Sequence, residues 1–269
     1  MADNAHKQTD TLLTQLQKQN KKKYLNSYRE LRKKLDSIYN EMNLTPAMDI
    51  NSKMNEINKY GRFEKMVELV AESLTSVNSE VVNDINSVSD SIYQLNYNYM
   101  AEKLGSEENT KKESKDAVKD NINPYNTISI NNLKDKNEAK KNARSTLLNI
   151  LMQGLSMATV SKLYEKNLST SNMLANSNGT RIENLSRIDA MIASEKKAEE
   201  EGYVLVKVWN SRKDSKVRDA HSRADGQEAQ LDKPFYVGGE RLMYPADPNG
   251  SAGNVINCRC YLTYKKVAK

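Results

Sequence analysis

Two long stretches of the chain place apolar side chains at alternating steps of three and four. Tyr24, Tyr28, Leu31, Leu35, Ile38 and Met42 make the first seam. Phe63, Val67, Val70, Leu74, Val77, Val81, Ile85, Val88, Ile92, Leu95 and Tyr99 make the second. This spacing gives a helix one narrow apolar stripe. It predicts a helix over residues 24–42 and one helix, or two nearly continuous ones, over residues 63–99, up to about 60 Å long at 1.5 Å per residue. The polar positions differ in sign. Between residues 7 and 34, nine basic side chains face only Asp10 and Glu30, whereas the second seam is flanked by Glu64, Glu68, Glu72, Glu80, Asp84 and Asp90 against Arg62 and Lys65. Antiparallel pairing through the seams, helped by opposite charge, is the simplest expectation.

Residues 105–125 are polar, charged and almost free of large apolar side chains, and predict a linker ending at Pro124. Helical spacing resumes through Leu147, Leu148, Ile150, Leu151, Leu155, Val160 and Leu163, and again from Ile182 to about Ala198, with a turn-like stretch rich in Ser, Asn and Gly, Ser169 to Thr180, between. From Gly202 the pattern changes. The β-branched run through Val208 to Trp209 predicts a strand, Asp214–Arg223 a short helix stopped by Asp225-Gly226, and Val255–Tyr264 a closing strand with Cys258 and Cys260 on one face. The expected fold class is α+β, mostly α: a long helical region over 1–104, resembling a helical hairpin or coiled coil, the linker 105–125, further helices over 126–200, and a small α+β module with a few antiparallel strands over 201–269.

Composition favours elongated helices over a thick core. Apolar residues make up 38% of the 269, charged residues 28%, and there are only two Phe and one Trp. The net charge of +6 and pI near 9.0 suit a partner bearing phosphates without matching a dedicated nucleic-acid coating protein. Lys21, Lys22, Lys23, Arg32, Lys33 and Lys34 are the candidate contacts to DNA or an acidic partner, against a bland reading as a solvated helix face. No apolar run approaches the ~20 residues of a membrane helix, and no secretory leader is evident, so a soluble, unsecreted protein without a membrane span is expected.

His221, Cys258 and Cys260 are the strong soft ligands of the C-terminal half. Two thiolates and an imidazole are the right types for a structural zinc, although the usual two-residue gap between cysteines is absent and a fourth ligand would come from Asp219, Asp225 or water. The alternative is His221 hydrogen-bonded inside the module, against Asp225, with the cysteines as small buried hydrophobes. Cys258, His221 and Asp225 also have the types of a nucleophile, base and orienting group, but Asn-Cys-Arg-Cys lacks the small-residue turn that exposes a nucleophile. Phosphate-loop, dinucleotide and HExxH motifs are missing. No enzymatic activity, and no cofactor beyond such a zinc, is expected.

Trp209, Asp214-Ser-Lys-Val-Arg218-Asp-Ala-His221, Asp225-Gly226, Pro234-Phe235, Tyr244-Pro245-Ala-Asp247-Pro248 and Asn254-Val-Ile-Asn257-Cys258-Arg259-Cys260 together resemble the head morphogenesis domain of the Mu-F-like minor head proteins of tailed phages. The resemblance extends back to about Ala143 and departs at Ala224, where that family more usually has an aliphatic residue. It makes Trp209, Arg218, His221, Asp225, Gly226, Pro245, Asp247 and Asn257 a structural signature. It also implies a virion protein of the head, assembled in the host bacterial cytoplasm and present in few copies. Its expected partners are portal and major capsid or scaffolding proteins, with packaged double-stranded DNA as a further one. The implied role is in head assembly and in DNA packaging or ejection, and the alternative is a DNA-binding protein ejected with the genome. Residues 1–125 carry no family motif.

Overall fold

A computed structural model describes residues 3–108, 110–120 and 124–269. In chain order the elements are α1 (Asn4–Asn40), α2 (Ile50–Asn58), a 3-10 turn (Lys59–Gly61), α3 (Arg62–Leu104), α4 (Lys111–Asp120), α5 (Pro124–Lys134), α6 (Lys136–Gln153), a second 3-10 turn (Met157–Val160), α7 (Ser161–Ala193) and α8 (Glu195–Glu200). β1 (Tyr203–Asn210), α9 (Asp219–Arg223), β2 (Glu228–Gln230), β3 (Phe235–Val237), β4 (Glu240–Leu242), α10 (Ala252–Val255) and β5 (Tyr261–Ala268) complete the chain. The α+β, mostly α class holds, and the second seam is one helix of 43 residues.

Two compact units cut across the linear division expected from the sequence. One, here the mixed unit, gathers the described residues of Met1–Gln17, Asp84–Thr127 and Met173–Lys269; the other, the helical unit, gathers Lys18–Asn83 and Ile128–Asn172. In the helical unit α1 and α3 run antiparallel, with Tyr24 donating to Asn78 Oδ1 at 2.6 Å and Ser27 meeting Ser73 at 2.9 Å. Leu35, Ile57, Met66, Val70, Leu147 and Ile150 fill its core. Burial pushes the Tyr24 hydroxyl up to about 12. The charge pairing differs from expectation. Glu64, Glu68 and Glu72 of α3 meet α6: Arg144 is bidentate on Glu64 at 2.5 and 2.7 Å, Lys140 lies 2.8 Å from Glu68, and Lys136 lies 3.0 Å from Glu72. Between α1 and α3, Lys23 bridges Glu80 at 3.7 Å.

In the mixed unit β1 is central in a three-stranded antiparallel sheet, order β2-β1-β5, and β3 and β4 form a separate hairpin. The hairpin turns through Gly238 and Gly239 at φ +60° and +83°, a conformation only glycine adopts freely. The core joins Trp209, Phe235, Val237, Leu242 and Leu262 to Ile182, Leu185, Ile188 and Met191 of α7 and to Ile92 and Met100 of α3. Gly179 lies in mid-helix because Leu13 of α1 packs against it; a Cβ there would fall 2.7 Å from a Leu13 methyl.

Four sequence expectations are corrected. Ser169–Thr180 is continuous helix within α7, where Ser171, Ser177, Asn178 and Thr180 find partners distant in sequence. Within the expected linker, Lys111–Asp120 is helical, opened by a capping box: Glu113 N–H donates to Thr110 Oγ1 and the Thr110 N–H to Glu113 Oε2. Asn109 and residues 121–123 lie outside the described residues. The short helix after β1 is confined to Asp219–Arg223. Val255–Tyr264 is not one strand: a helical turn ends at Val255, Asn257 takes φ +55°, and β5 begins only at Tyr261.

Candidate functional site

The centre of the mixed unit is the stretch Asn257–Leu262, gripped from behind by α7. Ser177 accepts from the Asn257 N–H at 2.9 Å, and Thr180 donates to the Cys258 carbonyl at 2.7 Å. Asn184 donates to the Cys260 carbonyl at 3.0 Å while accepting from the Leu262 N–H at 2.7 Å. Arg187 donates to the Leu262 carbonyl at 2.8 Å. Positions 177, 180, 184 and 187 follow the three-and-four rhythm of one helix face, so the polar stripe of α7 acts as a template for the main-chain groups of Asn257–Leu262.

Arg187 is itself fully buried. Its guanidinium spans both carboxylate oxygens of Asp3 at 2.6 and 2.9 Å, Asn96 at 3.0 Å and Glu183 at 3.1 Å. Glu183 also meets His6 Nδ1 at 2.8 Å, and the His6 ring stacks on Tyr261 at 4.2 Å. Burial opposes the Arg187 charge, but the carboxylates hold its pKa above the ordinary arginine value, and Asp3 is correspondingly lowered.

The held stretch delivers both cysteine sulfurs to one imidazole. Cys258 Sγ and Cys260 Sγ lie 3.6 and 3.5 Å from His221 Nδ1, and the three ligand atoms are all within 4.8 Å of one another. All three side chains are at most 2% exposed. On the other edge of the ring, Nε2 faces Asn254 Oδ1 at 3.3 Å. The hydrogen bond from Cys260, then the imidazole, holds the Cys258 thiol well below its ordinary range, and the same bond together with burial pushes Cys260 up. Trp209 closes the site, edge-on to His221 at 5.7 Å and to Phe235 at 5.4 Å.

The other signature residues build the frame. Asp225 accepts from the Ser211 N–H at 2.7 Å and pairs with Lys213 at 3.0 Å, so it does not orient His221; Asn254 does. Gly226, at φ +78°, donates its N–H to the Trp209 carbonyl at 2.8 Å. Arg218 donates to the Ile256 carbonyl. Asp247 organises the Pro245 loop by accepting from Met243 N–H at 2.7 Å and Asn249 N–H at 2.9 Å, with Ala246 at φ +64°. The Asn257 N–H donates to Ser177, and Arg259 is bidentate on Asp214 at 2.7 and 2.6 Å.

Lys207 went unnoticed in the sequence because it sits at an alternating position of a strand. It is fully buried, donates to the Leu231 and Met243 carbonyls at 3.1 and 2.9 Å, and burial brings it down to about 8.

On α1, the six basic candidates separate. Lys23 and Lys34 line the α1–α3 groove with Glu30, Glu72 and Glu80, and Arg32 pairs with Asp36 at 3.3 Å. Lys21, Lys22 and Lys33 are exposed on the opposite side, where Lys18 and Arg29 join them at helical spacing. No carboxylate among the described residues lies within ion-pair distance of these five.

Residues 141–263 match the family model described as phage Mu protein F like protein. The match, which takes in α7, β1, α9 and the Cys–Cys–His cluster, supports the Mu-F-like phage head protein family. Neither the curated proteins nor the solved structures gave a match. No helix of the described residues is long and apolar enough to cross a membrane.

Proposed function

We propose that the protein is a non-catalytic minor component of a tailed-phage head, present in few copies. In this reading it acts in head assembly near the portal, in contact with portal and major capsid or scaffolding proteins, and is assembled in the host bacterial cytoplasm. The family match over residues 141–263 carries the reading. The α7 template and the closed β module supply a rigid body, and α1–α3, outside the match, supply long surfaces for other subunits. Quantitative mass spectrometry of purified virions tests it. A few copies per particle beside portal and capsid subunits is the expected result, and absence from the particle overturns it.

The basic face of α1 favours a second role, contact with packaged double-stranded DNA on the way in or out of the head. Lys18, Lys21, Lys22, Arg29 and Lys33 share one exposed side, while Glu64, Glu68 and Glu72 of α3 are engaged by α6 and Glu80 by Lys23. Such a ladder contacts phosphates without reading bases. Replacing Lys21, Lys22, Arg29 and Lys33 by alanine should weaken duplex binding for all sequences alike and flatten the dependence of the logarithm of affinity on that of salt concentration. An unchanged slope rules the ladder out.

A further inference from the structure

We propose that His221, Cys258 and Cys260 bind one zinc ion that cross-links α9 to the segment leading into β5. With zinc–sulfur bonds of about 2.3 Å and zinc–nitrogen bonds of about 2.0–2.1 Å, a tetrahedral ion sets sulfur and nitrogen roughly 3.5 Å apart. The two sulfur-to-Nδ1 distances, 3.6 and 3.5 Å, are already at that separation. The spacing of two rather than three residues between the cysteines is no obstacle. Cys258 and Cys260 lie between the left-handed Asn257 and the first residue of β5, so strand geometry does not dictate where their sulfurs point.

The imidazole is presented in the tautomer a metal needs. Asn254 Nδ2 faces the Val237 carbonyl at 3.3 Å, and a carbonyl can only accept, so the amide oxygen is the end that faces His221 Nε2. Nε2 therefore carries the proton, and Nδ1 turns an unprotonated lone pair toward the two sulfurs. One lone pair cannot accept from two thiols, so without a metal only one of them can use it, and Cys260 turns instead to the Cys258 sulfur, a weak acceptor. A divalent ion resolves this: both thiols ionise, their protons pass to solvent, and each sulfur gains a bond. Asn254 orients the ligating ring, while Thr180 and Asn184, by holding the Cys258 and Cys260 carbonyls, set the positions of the sulfurs.

Two thiolates and an imidazole select zinc over magnesium or calcium, which take oxygen ligands. Among the described residues no fourth His, Cys, Asp or Glu joins the three. A water molecule or chloride completes the tetrahedron.

The test is elemental analysis of the untagged full-length chain, purified without chelator, with cobalt replacement as a second readout. One zinc per chain, lost in Cys260→Ser and in His221→Ala, and a cobalt form with intense thiolate-to-metal charge-transfer absorption, is the expected result. Should those variants fail to fold, the wild-type chain decides: chelation should expose both thiols to a disulfide reagent, and added zinc should protect both again. A chain that takes up no zinc while its two thiols stay equally reactive overturns the proposal. So does zinc retained in a folded Cys260→Ser variant.

Discussion

The helical and mixed units are held together in opposite ways. The helical unit follows the amphipathic rule: apolar seams inside, ion pairs such as Arg144–Glu64 and Lys140–Glu68 outside. The mixed unit puts its charges and amides inside. Arg187, Glu183 and Asn184 are buried on one helix, and their partners are backbone groups and side chains far away in sequence. Desolvating such groups is costly, and the cost is offset only while every partner stays in place. The mixed unit should therefore tolerate the loss of a polar group far worse than the helical unit does.

The largest effect is expected at Arg187. Arg187→Met leaves Glu183 and Asp3 without their counter-charge and the Leu262 carbonyl without its donor, and should destabilise by about 3–5 kcal/mol; a urea midpoint close to that of wild type would break the comparison. Leu35→Ala, an apolar truncation at a fully buried site of the helical unit, should cost about 3 kcal/mol, with the loss confined to that unit in native-state hydrogen exchange. Asn184→Ala removes less volume but strands the Leu262 N–H and the Cys260 carbonyl, and should cost about 2 kcal/mol; near-neutrality would show that the template is dispensable. Arg144→Ala should be the mildest. The pair it breaks is solvent-exposed and screened by salt, so its unfolding midpoint should match wild type in moderate salt, and a large shift would mean that surface charge does more here than the buried seams.

The same contrast explains what could be read from the sequence. The seams at Tyr24–Met42 and Phe63–Tyr99 were legible because a helix buried on one side repeats its apolar residues every three or four positions. Ser169–Thr180 was not, because the face α7 buries there is polar and its partners, the main-chain groups of Asn257–Leu262, leave no trace in local periodicity. The helix at Lys111–Asp120 did carry a signal, Thr110 followed three residues later by Glu113, hidden in a charged background. Among the site residues, His221, Cys258 and Cys260 stood out by chemical type alone. Their scaffold did not: Asp225 looked like the natural partner of His221, but the turn after Gly226 commits it to Ser211, and the ring is oriented by Asn254, which resembles any other asparagine in an Asn-rich chain.

The grip of α7 on Asn257–Leu262 also sets an order of events in folding. The bonded residues are separated by 75 to 80 positions, whereas the turns of α7 close over three or four. Helix formation is local and fast, but ordering a loop of that length carries an entropy that no single contact repays. During synthesis α7 must leave the ribosome with its polar stripe still unmatched, and it waits for roughly the length of the whole β module before its template is filled. Refolding of the full chain should accordingly recover most of its helical signal well before Trp209 reports a native environment.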